Sequence, residues 1–341
     1  MQYYLAPMEG ITTYIYRNAH AKYFGGIDKY FTPFISPGSR SMNTREIRDI
    51  LPDNNIGIPL VPQVLTNNAG RFLAVAEEIA SYGYDTINLN LGCPSGTVAA
   101  KKRGAGFLSM PDELDAFLYE IYAKCPLQIS VKTRLGISGL SEWDNLLDIY
   151  AKYPIQELII HTRLQQEFYT GRTHPEAYAK AVERLQTDVA AGNNNRIPLC
   201  YNGDIVSAGS LKDILTAIGT SADSASLSGH DMAETIDAER IMIGRGIIQN
   251  PALAGQLQSV CPSQPVSKEI WRAFHDEILE GYRKIMSGDS PVLFKMKDLW
   301  TYMSRSFTNP DKYLKKIRKA NRIEDYVCAV DGLFREQEII G

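Results

Sequence analysis

The sequence predicts an α/β barrel of parallel strands followed by a smaller helical region. From the first residue to about residue 260, short β-rich runs alternate with amphipathic stretches, which is typical of successive βα units. After Asn250-Pro251 the β signal ends and helical periodicity continues alone. Eight β-rich runs is the number of a (β/α)8 TIM barrel, and a doubly wound open sheet is the alternative.

The predicted strands are short and separated by helical stretches. The strands are Gln2 to Ala6, Lys29 to Ile35, Ile58 to Val64, Asp85 to Asn90, Leu127 to Lys132, Gln156 to His161, Ile197 to Tyr201 and Arg240 to Ile243. The helices between them include Asn68 to Tyr82, Pro111 to Cys125, Ser141 to Tyr153, Pro175 to Ala191 and Ser207 to Ile218. Thr187 to Arg196 and Gly219 to Glu239 exceed what a βα unit needs, so we expect surface insertions there.

The length of 341 residues suits one barrel of about 250 residues with a smaller appendage. We therefore expect two domains, a barrel over residues 1–258 and a helical domain over residues 259–341. Within the second, Lys268 to Glu336 is predicted to form three or four helices, interrupted at Ser290-Pro291 and Asn309-Pro310.

The composition is that of a soluble globular protein, with 44% hydrophobic and 22% charged residues. The chain begins without the basic and apolar segments of a signal peptide, and no apolar run approaches the roughly 18 residues that a membrane span needs. We expect a cytoplasmic protein with no membrane partner. The 5 cysteines are odd in number and widely spaced, which argues against a disulfide framework and against a metal site.

The net charge of −3 does not by itself favour a polyanionic partner, but the charge is unevenly distributed. Between Lys295 and Arg322 there are nine basic residues and only two acids, a local excess of +7. The basic residues are Lys295, Lys297, Arg305, Lys312, Lys315, Lys316, Arg318, Lys319 and Arg322. A solvated helix face is the commoner explanation of such a run, and nucleic-acid binding is the other.

The predicted strands end on unusually polar residues. In a barrel the catalytic groups gather at the carboxyl ends of the strands. Those positions hold Ala6-Pro7-Met8, Gln63, Asn88 and Asn90 with Cys93, Lys132 with Arg134, His161 with Arg163, Asn202 with Asp204, and Gly244-Arg245. Amide, thiol, ammonium, imidazole and guanidinium groups on one rim are what a ligand site needs.

The last two strand ends predict a phosphate site. Asn202-Gly203-Asp204 follows the seventh predicted strand and Gly244-Arg245 follows the eighth. Barrels often bind phosphate between these two loops, because glycine lets backbone N–H groups approach the anion. The arginine would add a bidentate partner.

Two residues of the rim have side chains suited to chemistry. Lys132 needs an anion or a π-system to compensate its desolvation, unless it extends to solvent. Cys93 lies in a Gly-Cys-Pro loop where its thiol could face the pocket, and acid–base chemistry and inert packing are equally open on position alone. The other four cysteines, in or beside apolar stretches, are expected to be small buried hydrophobes: Cys125, Cys200, Cys261 and Cys328.

The motifs in this order and spacing resemble the tRNA-dihydrouridine synthases, flavoenzymes with a TIM barrel and a helical C-terminal domain. The resemblance covers most of the chain. It rests on Ala6 to Thr12, Gln63, Ile87 to Asn90, Gly92-Cys93-Pro94, Gly104-Ala105-Gly106, Val131 to Gly136, His161-Thr162-Arg163, Tyr169, Gly171, Asn202 to Ile205, and Met242 to Gly246.

The resemblance implies a complete set of site residues, with no metal. FMN would be held in the barrel by Pro7, Met8, Gln63, Lys132, His161, Asn202, Gly203, Asp204, Gly244 and Arg245. Cys93 would be the catalytic residue, and Asn90, Arg163 and Tyr169 would contact the uracil. NADPH is implied as the reductant of the flavin and tRNA as the substrate, with the basic C-terminal domain as its docking surface.

The chemistry of uracil reduction agrees with a thiol acid. Hydride delivered from the flavin to C6 leaves enolate character at C4–C5, so C5 must receive a proton. A thiol with a pKa of about 8.5 is mostly protonated at neutral pH and can donate without a second base.

Two other functions compete with this interpretation. One is an FMN barrel of the dihydroorotate-dehydrogenase or old-yellow-enzyme kind that reduces a free small molecule. The other is a non-catalytic tRNA-binding protein, against which the presence of Cys93 and Lys132 argues.

Overall fold

The computed structural model describes residues 1–38, 42–186, 196–223, 238–259 and 266–340. Within them, one parallel sheet contains β1 (Gln2–Leu5), β2 (Lys29–Phe31), β3 (Leu60–Val61), β4 (Gln63–Val64), β5 (Thr86–Leu91), β6 (Gln128–Arg134), β7 (Leu158–His161), β8 (Leu199–Asn202) and β9 (Arg240–Ile243). Its strand order is β3-β2-β1-β9-β8-β7-β6-β5-β4.

The sheet closes because its two end strands are halves of one strand. Only Pro62 separates β3 from β4, and proline has no N–H to donate to a neighbouring strand. β3 pairs with β2 while β4 pairs with β5, so the interrupted strand joins both ends of the sheet. The predicted eight-stranded TIM barrel is confirmed.

Helices surround the barrel and continue beyond it. In the described residues they are α1 (Tyr14–Tyr23), α2 (Thr44–Ile50), α3 (Ala69–Ser81), α4 (Gly96–Ala99), α5 (Pro111–Lys124), α6 (Glu142–Tyr150), α7 (Pro175–Gln186), α8 (Ala208–Asp223), α9 (Arg245–Gln249), α10 (Leu253–Gln258), α11 (Lys268–Ile285), α12 (Asp289–Met303), α13 (Asp311–Lys319) and α14 (Ile323–Glu336). The sequence missed α1 and α2. The capping box that starts α2, Asn43 with Glu46, is a signal that could have revealed it.

Every predicted strand is present, but some ends differ. The second predicted strand stops at Phe31, because Pro33 cannot continue the ladder; Ile35 keeps only an isolated bridge to Val64. The insertion predicted to begin at Gly219 starts inside a helix, since α8 continues to Asp223. Residues 187–195 and 224–237 of the predicted insertions lie outside the described residues.

The C-terminal region contains four helices in the described residues, α11 to α14. The break predicted at Ser290-Pro291 falls earlier: Gly288, with φ of 80°, precedes α12, and Pro291 lies in the first turn, where its missing N–H is tolerated. These helices pack on the barrel. For example, the ring of Phe274 in α11 contacts Tyr16 of α1 edge-on, with ring centroids 5.6 Å apart. The domain boundary at 258/259 stays a prediction, and the apolar core is continuous across it.

The barrel interior is filled with side chains, as in a packed core. Tyr4, Phe31, Ile159, Cys200 and Met242 form a buried cluster inside it. Among the described helices, none is long and apolar enough to cross a membrane. The open space therefore lies at the ends of the strands, where ligands bind in this fold.

Candidate active site

A cleft of about 440 Å³ opens at the carboxyl ends of the strands. Its lining includes every predicted site residue except Arg163: Pro7, Met8, Gln63, Asn90, Cys93, Lys132, His161, Tyr169, Asn202, Gly203, Asp204, Gly244 and Arg245. These residues come from seven strands and the loops that follow them, so the barrel alone brings them together.

Amide side chains form a connected row across the floor. The Gln63 Nε2 donates to Asn88 Oδ1 at 2.8 Å, and the Asn90 Nδ2 donates to Gln63 Oε1 at 2.7 Å. Asn88 in turn donates to Ser130 Oγ at 2.8 Å. The row fixes the orientation of each amide, because the oxygen of each accepts a hydrogen bond while its NH2 group donates one to the next side chain. Gln63 and Asn90 are thereby held in one orientation at the cleft surface.

The loop that carries Cys93 is fixed by its neighbours. Asn90 Oδ1 accepts the backbone N–H groups of Gly92 at 3.0 Å and of Cys93 at 2.9 Å, closing a tight turn. Arg134 Nε donates to the Gly92 carbonyl at 2.9 Å. Gly104, with φ of 55°, packs so closely that an added Cβ would lie 2.8 Å from the Cys93 carbonyl oxygen. The loop backbone that carries the thiol is therefore held in place by contacts within the protein.

Burial raises the pKa of the Cys93 thiol above its usual range, although Arg134 and Lys132 oppose the shift. The thiol therefore carries its proton at neutral pH. The same two cations would stabilise the thiolate that remains after proton donation. This combination suits a general acid.

Lys132 is a half-buried cation that faces the cleft. Desolvation, with the charge of Arg134, lowers its pKa to about 8. Within the described part of the chain its ammonium makes no ion pair, although an unpaired buried charge is costly. An anionic ligand would remove that cost.

His161 is neutral at physiological pH. It is only 8% exposed, and its burial together with the charges of Arg134 and Lys132 holds the pKa of the imidazole well below its ordinary value. The ring stacks on Tyr169 with centroids 6.3 Å apart. A neutral ring can donate one hydrogen bond and accept another, depending on its tautomer.

Asp204 joins two arginines at the phosphate side. It accepts hydrogen bonds from Arg163 through both carboxylate oxygens, one at 2.9 Å, and from Arg245 Nη2 at 2.5 Å. Burial alone would raise the pKa of the Asp204 carboxyl, but the arginines lower it overall. Arg163 is 2% exposed and lies behind the cleft wall, where it also donates to the Gly171 carbonyl. The geometry therefore places Arg163 behind Asp204 and not in the cleft.

Tyr169 stands at the mouth between two guanidinium groups. Its ring centroid lies 5.3 Å from Arg134 and 5.6 Å from Arg245, within cation–π range. Arg134 also donates to the carbonyls of Leu164 and Phe168, at 2.8 and 2.7 Å. The side chain remains 51% exposed, so it presents an oriented aromatic face to a ligand.

Some residues of the cleft were missed at the sequence level. Phe34 lines it from the loop after β2, and Thr301, Tyr302 and Arg305 line it from the end of α12 and the turn that follows. No local pattern marks Phe34. The other three residues reach the cleft only through the packing of the helical region on the barrel. Arg305 also belongs to the basic run between Lys295 and Arg322.

The cysteine predictions had mixed outcomes. Cys200 is fully buried inside the barrel, as expected. Cys328 is exposed, so its prediction as a buried hydrophobe was wrong; it lies on the outer side of the amphipathic helix α14. Cys125 is only partly buried, and Cys261 lies outside the described residues. Within the described ranges, no group of three or more metal-binding side chains occurs.

Comparisons with known proteins identify the family of this chain. The dihydrouridine synthase family profile matches residues 4–331. Relatives named "Probable tRNA-dihydrouridine synthase" from Staphylococcus aureus (strain N315) and "Probable tRNA-dihydrouridine synthase 2" from Bacillus subtilis (strain 168) are each 28% identical over 249 residues. The matches cover 72% of this chain and 68% and 69% of those relatives.

A solved structure titled as a dihydrodipicolinate synthase family protein from Coccidioides immitis aligns over 97% of this chain and 96% of its own. Its TM-score of 0.46 and identity of 11% are too low to add to the assignment. The family profile, in contrast, spans nearly the whole chain. This protein therefore belongs to the dihydrouridine synthase family.

Proposed function

We propose that this protein reduces uridine in tRNA to dihydrouridine, with FMN as its cofactor, NADPH as the reductant of the flavin and Cys93 as the general acid. The observation that carries the proposal is that the Cys93 thiol and the half-buried Lys132 ammonium, which has no carboxylate partner among the described residues, face one barrel cleft. The family membership of the chain supports the same activity.

The donor set fits FMN. Lys132 and Arg245 provide positive charge for the anionic parts of the cofactor, and Gln63, Asn202 and neutral His161 provide hydrogen-bonding groups for a polar ring edge. At Gly244 an added Cβ would lie 3.3 Å from Ala6 Cβ, so glycine keeps that wall open. Pro7, Met8, Gly203 and Asp204 complete the lining. Bound FMN would supply the hydride that reduces the C5–C6 double bond of uracil.

Cys93 supplies the proton. Its Sγ–H bond breaks as the proton passes to C5 of the uracil ring, and the thiolate is stabilised by Lys132 and Arg134 until solvent returns a proton. The raised pKa makes the proton available at neutral pH. The fixed loop keeps the thiol in position, which a proton transfer of this kind requires.

The predicted substrate residues take different parts in this proposal. Asn90 uses its carbonyl oxygen and one amide hydrogen within the protein, leaving the second hydrogen for the uracil. Tyr169 offers its exposed ring. Arg163 acts indirectly, by holding Asp204. The target base must leave its stack to reach the cleft, which costs least in an RNA loop.

The tRNA docks on the helical domain, residues 259–341, in this proposal. Of the nine basic residues in the run, Lys295 and Lys297 donate to the carbonyls of Gly10 and Ala320 and are partly buried. Five of the nine lie on α13, and four of these are exposed and make no ion pair among the described residues: Lys315, Lys316, Arg318 and Lys319. Exposed cations on one helix suit contacts with a phosphate backbone. A tRNA substrate also places the activity in the cytoplasm.

The decisive experiment is to map dihydrouridine in tRNA from cells with and without the gene, and to restore the gene with and without the Cys93→Ala change. We expect dihydrouridine to disappear at defined positions and to return only with the unchanged gene. Restoration by the variant would refute the acid role. An unchanged map, together with purified protein that forms no dihydrouridine in unmodified tRNA, would refute the function and favour a reductase of small molecules.

A further inference from the structure

A second cavity, of about 230 Å³, lies beside the active-site cleft. It forms where the loop after β1 and the segment after β2 meet the helices α2, α11 and α12. Ligand pockets for drug-sized molecules occupy roughly 300 to 1,000 Å³, so this cavity suits a smaller group. No predicted site residue lines it.

The two cavities share a wall. Glu9 and Phe34 line both of them, and Phe34 is partly buried between the two spaces. A polymer with one unit in the active-site cleft can therefore place a neighbouring unit at the second cavity. An RNA strand with one nucleotide in the cleft has its next nucleotide close by.

The floor of the second cavity is apolar and aromatic. Ile15, Ile35 and Tyr282 are at least nine-tenths buried beneath it, and Tyr14 and Met286 are partly buried at its sides. The hydroxyl of Tyr282 is occupied by Thr13 Oγ1 at 3.0 Å. Apolar and aromatic surfaces bind the faces of nucleobases.

The rim carries cations, and its carboxylates are already engaged. Glu46 accepts the backbone N–H groups of Ser36 and Asn43, both at 2.9 Å. Asp49 accepts from the Tyr14 backbone and pairs with buried Arg17 at 3.1 Å.

Three rim cations remain available for an anion. Among the described residues Arg48 makes no side-chain ion pair, and Arg45 makes only an exposed one with Glu9, at 3.1 Å, of the kind that contributes little. Lys295 donates one hydrogen bond, to the Gly10 carbonyl, and has further N–H groups. Guanidinium and ammonium groups beside an apolar floor match a nucleotide, with its phosphate at the rim and its base below.

We propose that this cavity is a second nucleotide subsite, which binds the base of a residue adjacent to the target uridine in the RNA strand. The inference rests on the proposed function, since it requires an RNA substrate. The subsite holds the strand on one side of the extruded uridine and so favours its entry into the cleft. It contacts no reacting atom, and its effect is on RNA affinity.

The test compares tRNA binding by variants that fill the cavity or remove a charge from its rim. Met286→Trp places a larger side chain in it, and Arg48→Gln removes a rim charge. Their matched controls, Ile56→Trp and Arg184→Gln, change exposed residues outside both cavities. We expect each cavity variant to weaken tRNA binding about tenfold, as loss of one stacked base or phosphate contact does. Flavin content and flavin reduction by NADPH should not change.

A second measurement uses the RNA. Unmodified tRNA that lacks the base on one side of the target uridine should bind the wild type about tenfold more weakly, and should bind Met286→Trp no worse than intact tRNA does. The subsite would be overturned if loss of the base weakened tRNA binding equally in the wild type and in Met286→Trp. It would also be overturned if Met286→Trp and Arg48→Gln bound tRNA with unchanged affinity, or if these variants only raised the KM for NADPH. Wild-type protein that forms no dihydrouridine would instead refute the proposed function.

Discussion

The two ends of the barrel use charge in opposite ways. At the amino ends of the strands, Glu157 is 2% exposed and accepts hydrogen bonds from Tyr4 Oη at 2.8 Å and Lys29 Nζ at 3.1 Å. Arg240 Nε lies 3.5 Å from the same carboxylate. At the carboxyl ends, Lys132 faces open space without a carboxylate partner among the described residues.

The difference separates charges that stabilise from charges that bind. The charged groups at the amino ends pair with one another inside the protein and leave no free charge for a ligand. Lys132, which has no such partner at the other end, is desolvated at a cost to the free protein, and a ligand of opposite charge removes that cost. Substitutions at the two ends should therefore affect different measurements.

The largest effect is expected for Cys93→Ala. Loss of a general acid typically lowers a rate by about 10² to 10⁴-fold. Bound flavin and its reduction by NADPH should be retained, while single-turnover reduction of tRNA is largely lost; Cys328→Ala is the control. Because burial raises the pKa of the thiol, the wild-type rate should fall only as pH rises above the ordinary thiol range. Loss of flavin binding in Cys93→Ala would contradict the acid role.

A smaller effect is expected for Lys132→Met, measured as the affinity of the apoprotein for FMN. Removing a charged hydrogen-bond donor should weaken binding roughly 10- to 100-fold. Since the pKa of Lys132 is about 8, wild-type affinity should fall as pH rises through that value, because the neutral amine no longer attracts an anion. The variant should lack this pH dependence, and Lys152→Met should keep it. Identical pH profiles in wild type and Lys132→Met would count against the assignment.

At the opposite end, Glu157→Gln should change stability and leave activity intact. Breaking a buried ion pair costs roughly 3 to 5 kcal/mol, but Lys29 and Arg240 are 31% and 26% exposed, so we expect about 2 kcal/mol. Urea unfolding measures the loss. Glu120→Gln, which removes a surface pair with Lys124, should cost under about 1 kcal/mol. If Glu157→Gln lost activity while its free energy of unfolding were unchanged, the two ends of the barrel would not differ in this way.

The smallest effect is expected from reversing Lys315, Lys316 and Lys319 to glutamate. These cations of α13 make no ion pair among the described residues, so we expect them, like other unpaired charges, to bind a ligand, here the tRNA backbone. tRNA affinity should fall several-fold at physiological salt, and the slope of log affinity against log salt should decrease by about 2 to 3. Flavin reduction should not change. The control reverses the charge of three surface lysines that make ion pairs: Lys22, Lys124 and Lys152. Equal losses of tRNA affinity in the two triple variants would exclude a docking surface on α13.

Local patterns were sufficient for much of the fold. All eight predicted strands are present, because a strand inside a barrel is buried on both sides and appears as an apolar run. Short helices such as α4 and α9 were missed, since four or five residues give too little periodicity to detect. The exposed position of Cys328 was also missed, because the face a helical residue presents depends on what packs against the helix.

The sequence by itself determined the barrel, the polar ends of its strands and the motifs that carry the family resemblance. Each depends on residues close together in the chain, whose spacing fixes the local structure. The tertiary structure alone decided that Arg163 lies behind Asp204 and that Tyr302 and Arg305 reach the cleft. It also decided that a second cavity adjoins the first. These features join residues tens to hundreds of positions apart. The pairing of β7 with β8 brings Arg163 to Asp204, and the packing of the helices on the barrel brings the others together.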